Sequence, residues 1–306
     1  MKIAIVGCGA MGSVYAGLLA SAGHEIWAID RWREHVDAMR ERGLRLEGIS
    51  GDRTVQVHAS TDSREAGPCE LVILATKAMQ VAEGAESCKP LLGPETAVLS
   101  IQNGLGGPDT AASILARDRV MVGVVAGFGA SMKAPGHAHH NGMELVRLGE
   151  LEGPVTPRVE RVAEVWRSGG FKVKCFDDIG QLVWEKLLCN CAYSGPCGVT
   201  GLTIGEIMND PELSGISGQC AAEAYAVARA KGIRLGLDDP VAYVRDFGSK
   251  IPKARPSVLL DLLAGRKSEI GVINGAIPRV AAEFGLAAPV NQTITALGLA
   301  KERQLG

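Results

Sequence analysis

Residues 3–12 read Ile3-Ala4-Ile5-Val6-Gly7-Cys8-Gly9-Ala10-Met11-Gly12, and Asp30 follows eighteen residues after the last of these glycines. The apolar run Ile3 to Val6 reads as a buried parallel strand. Gly7 permits a tight turn, Gly9 lets the backbone approach a pyrophosphate, and Gly12 allows a helix to pack closely on the strand. Ala10 to Ala22 then reads as an amphipathic helix whose N-terminal amides, Ala10 and Met11 among them, face phosphate oxygens. Asp30 falls at the end of a second strand, Glu25 to Ile29, where a carboxylate accepts ribose hydroxyls. A lone Gly-x-Gly-x-x-Gly also fits a glycine-rich turn with no ligand. Strand, glycines, helix, strand and acid in one unit point to a dinucleotide.

The same stretch has features of a secretory leader: residues 3–23 carry no formal charge, Lys2 precedes them, and Ala20-Ser21-Ala22 has the look of a cleavage site. Glycines at 7, 9, 12 and 17 interrupt the run, and cleavage would remove the first strand. The segment is therefore read as part of the fold. No other segment supplies about 20 apolar residues, so no membrane span is expected.

The chain has 306 residues, enough for two domains, with 46% hydrophobic and 22% charged residues and a formal net charge of −2. That balance gives no reason to expect nucleic acid or an anionic membrane as partner. The eight cysteines are scattered, several within apolar stretches, which suits reduced thiols in a cytoplasm. Cys189, Cys191 and Cys197 do not have zinc-ligand spacing, so no metal is expected. A homodimer is compatible with the sequence, which does not by itself set the oligomeric state.

Up to about residue 176 strands and helices alternate. Candidate strands are Lys2–Val6, Glu25–Ile29, Leu71–Ala75, Ala97–Ser100 and Val120–Gly127, with helices at 10–22, 33–42 and 79–88. Leu44–Leu46 and Val55–His58 read as a hairpin insertion, and 143–148, a helix at 158–167 and 171–175 complete the unit. The pattern predicts an α/β fold: a Rossmann-type, doubly wound parallel sheet over 1–176, followed by an all-α domain over 177–306. In the second part the period is helical throughout, with turn signals that include Gly195-Pro196 and Arg255-Pro256. A cleft between two such domains is the expected place for a small substrate.

The helix beginning near Ile179 carries Lys186, Asn190 and Ser194 at i, i+4 and i+8, on one face of an otherwise apolar segment. A polar stripe on a buried helix is costly unless its groups have partners or a task. The plain reading is an interface helix whose lysine reaches water or a carboxylate. The other reading is chemical, because a hydride acceptor needs a proton donor and positive charge at the developing alkoxide. His137, His139 and His140 lie in a stretch rich in Gly, Pro and Asn that reads as a solvated loop. Ser257 reads as a helix N-cap, Glu269 as a charge near a helix start, and Asn103-Gly104 as a turn.

Gly7-Cys8-Gly9-Ala10-Met11-Gly12, Thr76-Lys77, Gln102-Asn103-Gly104, Trp184-Glu185-Lys186-Leu187-Leu188-Cys189-Asn190, Pro256-Ser257 with Asp261, and Gly265 to Ile270 with Ile273-Asn274-Gly275 occur in this order. The chain resembles the ketopantoate reductase (2-dehydropantoate 2-reductase) family over essentially its whole length. The resemblance implies Lys186 as general acid and Asn103 beside the nicotinamide and the reacting carbonyl. It implies Asn190 and Ser194 in the substrate pocket, Ser257 on the substrate carboxylate, Glu269 on substrate or cofactor, and Lys77 near the cofactor. The implied reaction is reduction of a small 2-keto acid, foremost 2-dehydropantoate, by NADH or NADPH. Asp30 favours NAD, whereas Arg31 stands where NADP-dependent members meet the 2′-phosphate.

Three positions depart from the family pattern. Ser194 replaces a usual asparagine, Gly271 a common aspartate and Leu260 a common glutamine. All three make the far side of the pocket less polar. They leave open a D-2-hydroxyacid dehydrogenase acting on bulkier 2-keto acids. A non-catalytic dinucleotide sensor is the alternative of another class.

Overall fold

The computed structural model describes residues 1–127, 129–142 and 145–305. In chain order the strands are β1 (Lys2–Val6), β2 (Glu25–Ile29), β3 (Leu44–Gly48), β4 (Arg53–Val55), β5 (His58–Ser60), β6 (Cys69–Leu74), β7 (Leu92–Ser100), β8 (Val120–Ala126), β9 (Gly129–Ala134), β10 (His137–Gly142), β11 (Leu145–Glu150) and β12 (Lys172–Cys175). Two compact units emerge: residues 1–102 with 106–179, and residues 103–105 with 180–306.

In the first unit β12, β11, β8, β7, β6, β1, β2 and β5 form one sheet in that order. Its pairs are parallel except β11 with β8, so β11 and β12 run against the others. The period-2 alternation of the central strands serves two cores. Ile3, Ile5, Leu71 and Ile73 join one, while Ala4, Val6, Val72 and Leu74 join the other. Helices α1 (Ala10–Ser21), α2 (Arg33–Arg42), α3 (Val81–Cys88), α4 (Gly107–Leu115) and α5 (Pro157–Ser168) complete this unit.

Several expectations need correction. The hairpin at 44–58 is the start of a separate four-stranded sheet, ordered β4-β3-β10-β9, and His58 belongs to the main sheet through its pairing with Trp27. His137, His139 and His140 are not in a solvated loop. They lie on β10, His140 is fully buried, and His137 and His139 both contact Glu47 at 3.0 and 3.1 Å. Long-range strand pairing overrode the local Gly/Asn signal. The predicted strand at 143–148 begins on residues outside those described; the observed strand is Leu145–Glu150.

Helix α1 is not amphipathic. Every residue from Gly12 to Leu19 is buried, because the helix packs on strands of both sheets. This explains its small residues: a Cβ on Gly17 would stand 3.2 Å from Leu46 Cδ2 of β3.

The second unit is helical: α6 (Ile179–Thr200, whose first residue belongs to the first unit), α7 (Ile204–Asn209), α8 (Pro211–Ala230), α9 (Pro240–Lys250), α10 (Ser257–Leu263), α11 (Ala276–Glu283) and α12 (Pro289–Arg303). Helix α6 forms its centre. Leu187, Leu188, Cys191 and Ala192 share a core with Cys220, Ala221 and Ala224 of α8 and Val258 and Leu262 of α10. Gly195 and Gly198 admit neighbours closely: a Cβ on Gly195 would lie 2.4 Å from Ile294 Cγ2, and one on Gly198 would lie 2.7 Å from Val258 Cγ1.

Gly195-Pro196 was expected to turn the chain, yet α6 runs through it to Thr200. Proline removes the N–H that would bond the Ala192 carbonyl one turn back. The Ser217 hydroxyl donates to that carbonyl at 2.7 Å, from a buried position on α8. A tertiary donor thus offsets the lost ladder bond, and burial on all sides favours continuation. Substituting Ser217→Ala should leave the carbonyl unpaired and lower the unfolding free energy of the whole chain by about 1–3 kcal/mol, read by urea denaturation; an unchanged midpoint would contradict this account of the helix.

Candidate active site

The C-terminal ends of adjacent parallel strands bring three predicted elements to one edge of the main sheet: Gly7–Gly12 after β1, Asp30-Arg31 after β2, and Thr76-Lys77 after β6. That edge is where open α/β sheets hold ligands. The three glycines have separable roles. Gly7 has φ +89°, and a Cβ there would meet Thr76 N at 2.5 Å. A Cβ on Gly12 would meet Gly7 O at 2.3 Å, so the helix could not seat. Around Gly9 nothing lies within 4 Å of the Cβ position, and no side chain caps the helix start. The cradle therefore has the open face and the uncapped Ala10 and Met11 end of α1 that a pyrophosphate requires.

Asp30 Oδ1 accepts the Trp32 N–H at 2.9 Å. Arg31 is exposed, and its guanidinium pairs with Glu83 at 3.0 Å. Lys77 is partly buried beside the 3₁₀ turn Ala78–Gln80. The Cys8 thiol is fully buried, and desolvation, then Asp30, pushes its pKa up to about 12, so it stays a protonated thiol and is no nucleophile.

The second unit holds the remaining candidates. Lys186 Nζ donates to Asn103 Oδ1 at 2.7 Å, and Asn103 Nδ2 donates to Glu269 Oε2 at 3.1 Å. An ammonium can only donate and a carboxylate can only accept, so this chain fixes which way the amide points. Lys186 and Asn103 are partly buried, and Glu269 is 3% exposed. The Glu269 negative charge thus reaches the ammonium through a polarised amide. Sequence reading singled out all three residues but did not connect them, because 83 and 166 positions separate the bonded pairs.

The backbone explains the alignment. Gly104 has φ +79°, and a Cβ there would lie 2.4 Å from Val272 O. Leu105 N donates to that same carbonyl at 3.1 Å. Residues 103–105 are therefore docked on the segment that carries Glu269. Ser268 fixes this segment from behind, its N–H and hydroxyl donating to Glu302 Oε1 at 2.8 and 2.7 Å. Asn274 ties it to the lysine's helix, donating to Cys191 O and to Asn291 Oδ1, both at 2.9 Å. Glu302 was not predicted; nothing local in the sequence marks it.

Asn190 is partly buried one turn beyond Lys186, and Ser194 is 4% exposed a turn further. Ser257 is not an N-cap. Pro256 holds that position, and Ser257 is the first residue of the seven-residue α10, partly exposed and without a side-chain cap bond. Proline already sets the extended backbone at the cap. Asp261, 3% exposed, pairs with Arg266 at 3.0 Å. Leu260 is 49% exposed, and the Cβ position of Gly271 meets nothing within 4 Å. Among the described residues no cluster of His, Cys, Asp or Glu is arranged to hold a metal, and all eight cysteines are free thiols.

Residues 3–153 match the family described as Ketopantoate reductase PanE/ApbA, and residues 178–302 match its C-terminal counterpart. The chain belongs to the ketopantoate reductase family. It is thereby an oxidoreductase, and its relatives agree along the full length. It is 28% identical to the 2-dehydropantoate 2-reductase of Streptococcus pyogenes serotype M1, covering 100% of this chain and 99% of that one. It is 30% identical to that of Pyrococcus horikoshii, covering 99% and 98%. Among solved structures, a PanE/ApbA family ketopantoate reductase from Ralstonia eutropha JMP134 is similar at TM-score 0.92 and 34% identity, covering 100% and 99% of the two chains. A ternary structure of D-mandelate dehydrogenase with NADH and anilino(oxo)acetate is similar at TM-score 0.92 and 28% identity, with the same coverage.

Within this family member the docking of Gly104 should govern the reaction. Gly104→Ala adds a Cβ against a backbone oxygen at a φ that alanine resists, displacing Asn103 from Lys186. The expected result is a fall in kcat/KM of roughly 10–100-fold with dinucleotide affinity retained. Steady-state kinetics and a binding titration check both parts.

Proposed function

We propose that this chain reduces a small 2-keto acid to its 2-hydroxy acid with a nicotinamide dinucleotide, and that 2-dehydropantoate is the leading substrate. The hydrogen-bonded chain Lys186–Asn103–Glu269 carries the reading. The reduced nicotinamide, when bound, supplies the hydride to the keto carbon. Lys186 gives a proton from Nζ to the carbonyl oxygen as negative charge develops there, and solvent restores that proton afterwards. Asn103 holds the ammonium in place, and Glu269 orients that amide by accepting from its Nδ2. Asn190 and Ser194 share the face of Lys186 and orient the substrate, while the Ser257 hydroxyl binds its carboxylate. The glycine loop, Asp30 and Lys77 hold the dinucleotide.

Lys186→Ala should lower kcat by roughly 10²–10⁴-fold, with dinucleotide Kd changed less than about twofold. Full turnover in that variant would remove the mechanism. Tight dinucleotide binding by the wild-type chain, without turnover of any 2-keto acid, would make it a sensor instead.

We further infer a preference for NADH. Asp30 closes β2 with a carboxylate, and Arg31 is already paired with Glu83, so a 2′-phosphate would meet two acids and one engaged arginine. Like-charge juxtaposition of this kind opposes the phosphate. Asp30→Ala should shift the NADH:NADPH ratio of kcat/KM toward NADPH by roughly tenfold; an unchanged ratio would sink this preference.

A second substrate reading rests on Ser194 and Leu260, which present less polar groups than the family pattern. It favours bulkier 2-keto acids, and the similar structure of D-mandelate dehydrogenase with NADH and anilino(oxo)acetate supports it. Comparing kcat/KM on 2-dehydropantoate with branched and aromatic 2-keto acids separates the two. Free thiols throughout suit a reducing compartment, which we take to be the cytoplasm. Among the described residues no helix is long and apolar enough to cross a membrane. A homodimer is the assembly we favour.

A further inference from the structure

His35, on α2, is fully buried, lies outside every motif considered above and takes no part in the proposed chemistry. Its two ring nitrogens have different partners. The Gly136 N–H donates to Nδ1 at 2.8 Å. A backbone amide cannot accept, so Nδ1 carries a lone pair and the neutral ring bears its proton on Nε2. Nε2 lies 2.9 Å from the carbonyl oxygen of Cys8, between the first two glycines of the loop. The Ser13 hydroxyl donates to the same oxygen at 3.1 Å. Trp32 stacks over the imidazole at 5.1 Å between centroids and 20° between planes.

Two donors on one carbonyl fix the plane of the Cys8–Gly9 peptide. In a trans peptide the N–H points opposite to the C=O. With its carbonyl held toward His35 and Ser13, this unit must turn the Gly9 N–H the other way. Gly9 is also the glycine whose Cβ position is open. We propose that His35 is a positioning residue for the dinucleotide: by donating from Nε2 to Cys8 O it presents the Gly9 amide to the pyrophosphate, and the Gly136 N–H selects the tautomer that can do so. The inference rests on the reading of the glycine loop as the dinucleotide site.

Burial holds the His35 pKa below the ordinary imidazole range, in keeping with a neutral ring. The tautomer is set from the second sheet. Gly136 lies in the turn between β9 and β10, with φ +73°, and a Cβ there would stand 2.9 Å from Ala38 Cβ of α2. A substituent would push the turn away and withdraw the amide that His35 needs. The small sheet therefore sets a hydrogen-bond polarity as well as covering α1.

Conservative variants separate positioning from stability. Glutamine can return a donor at the place of Nε2 but no acceptor for Gly136, whereas asparagine offers an acceptor at the place of Nδ1 and no donor for Cys8. NADH and NADPH Kd values for the wild-type, H35Q and H35N full-length proteins would be measured by equilibrium titration without substrate, beside their thermal midpoints. The expected result is H35Q within about twofold of wild type and H35N weaker by roughly tenfold, with similar losses of thermal midpoint. H35N binding like wild type, or both variants weakening equally, would overturn the proposal. Should H35N not fold, Ser13→Ala decides. It should weaken binding roughly threefold, and unchanged affinity would count against the proposal. Failure of the wild-type protein to bind either dinucleotide would instead overturn the functional reading beneath it.

Discussion

A lysine ammonium on a helix that is apolar almost all round must be compensated, and the amide of Asn103 does this at 2.7 Å. Much of the second unit follows from that constraint. The amide must show its oxygen to the lysine, so its nitrogen needs an acceptor, and buried Glu269 supplies one. The carboxylate in turn sits on a segment fixed by Ser268 to Glu302 and by Asn274 to Cys191. Each polar group in the sequence is costly when buried alone and affordable when all are paired. The same network sets the lysine ammonium beside an amide and that amide beside a carboxylate, the arrangement on which the proposed reduction rests.

The first unit solves a different problem. Its glycine loop must be thin enough for phosphates to approach and rigid enough to hold its amides outward. Thinness comes from three missing side chains: Gly7 lies against Thr76, Gly12 lies against Gly7, and Gly9 faces open space. Rigidity comes from behind, where α1 is buried between two sheets and the Cys8 carbonyl is held by side chains of α1 and α2. The small four-stranded sheet contributes to that support by covering α1 and by donating the Gly136 N–H to His35.

Much of this was legible in the sequence. The parallel strands β1, β2, β6 and β7 announce themselves as short apolar runs, and the glycine fingerprint needs no distant contact to be recognised. The Lys186–Asn190–Ser194 stripe follows from helical geometry alone. Two of the misreadings share one cause. At 137–140 Gly, Pro and Asn suggested a loop, yet pairing of β10 with β3 and β9 made a strand. At Gly195-Pro196 a local breaker was overruled by burial and by a hydroxyl on another helix. In both places a local preference of about a kilocalorie or a few met tertiary interactions of the same size or larger.

The sequence by itself determined β1, β2 and β6 with the helices that follow them, the glycine turn and the residue types available for chemistry, because these depend on neighbours within a few positions. The tertiary structure alone decided which of those residues meet. Asn103 joins Lys186 and Glu269, and His35 reaches back to Cys8, through contacts that no spacing rule encodes. Hydrogen bonds act over about three ångströms, and only the folded chain brings distant residues within that reach.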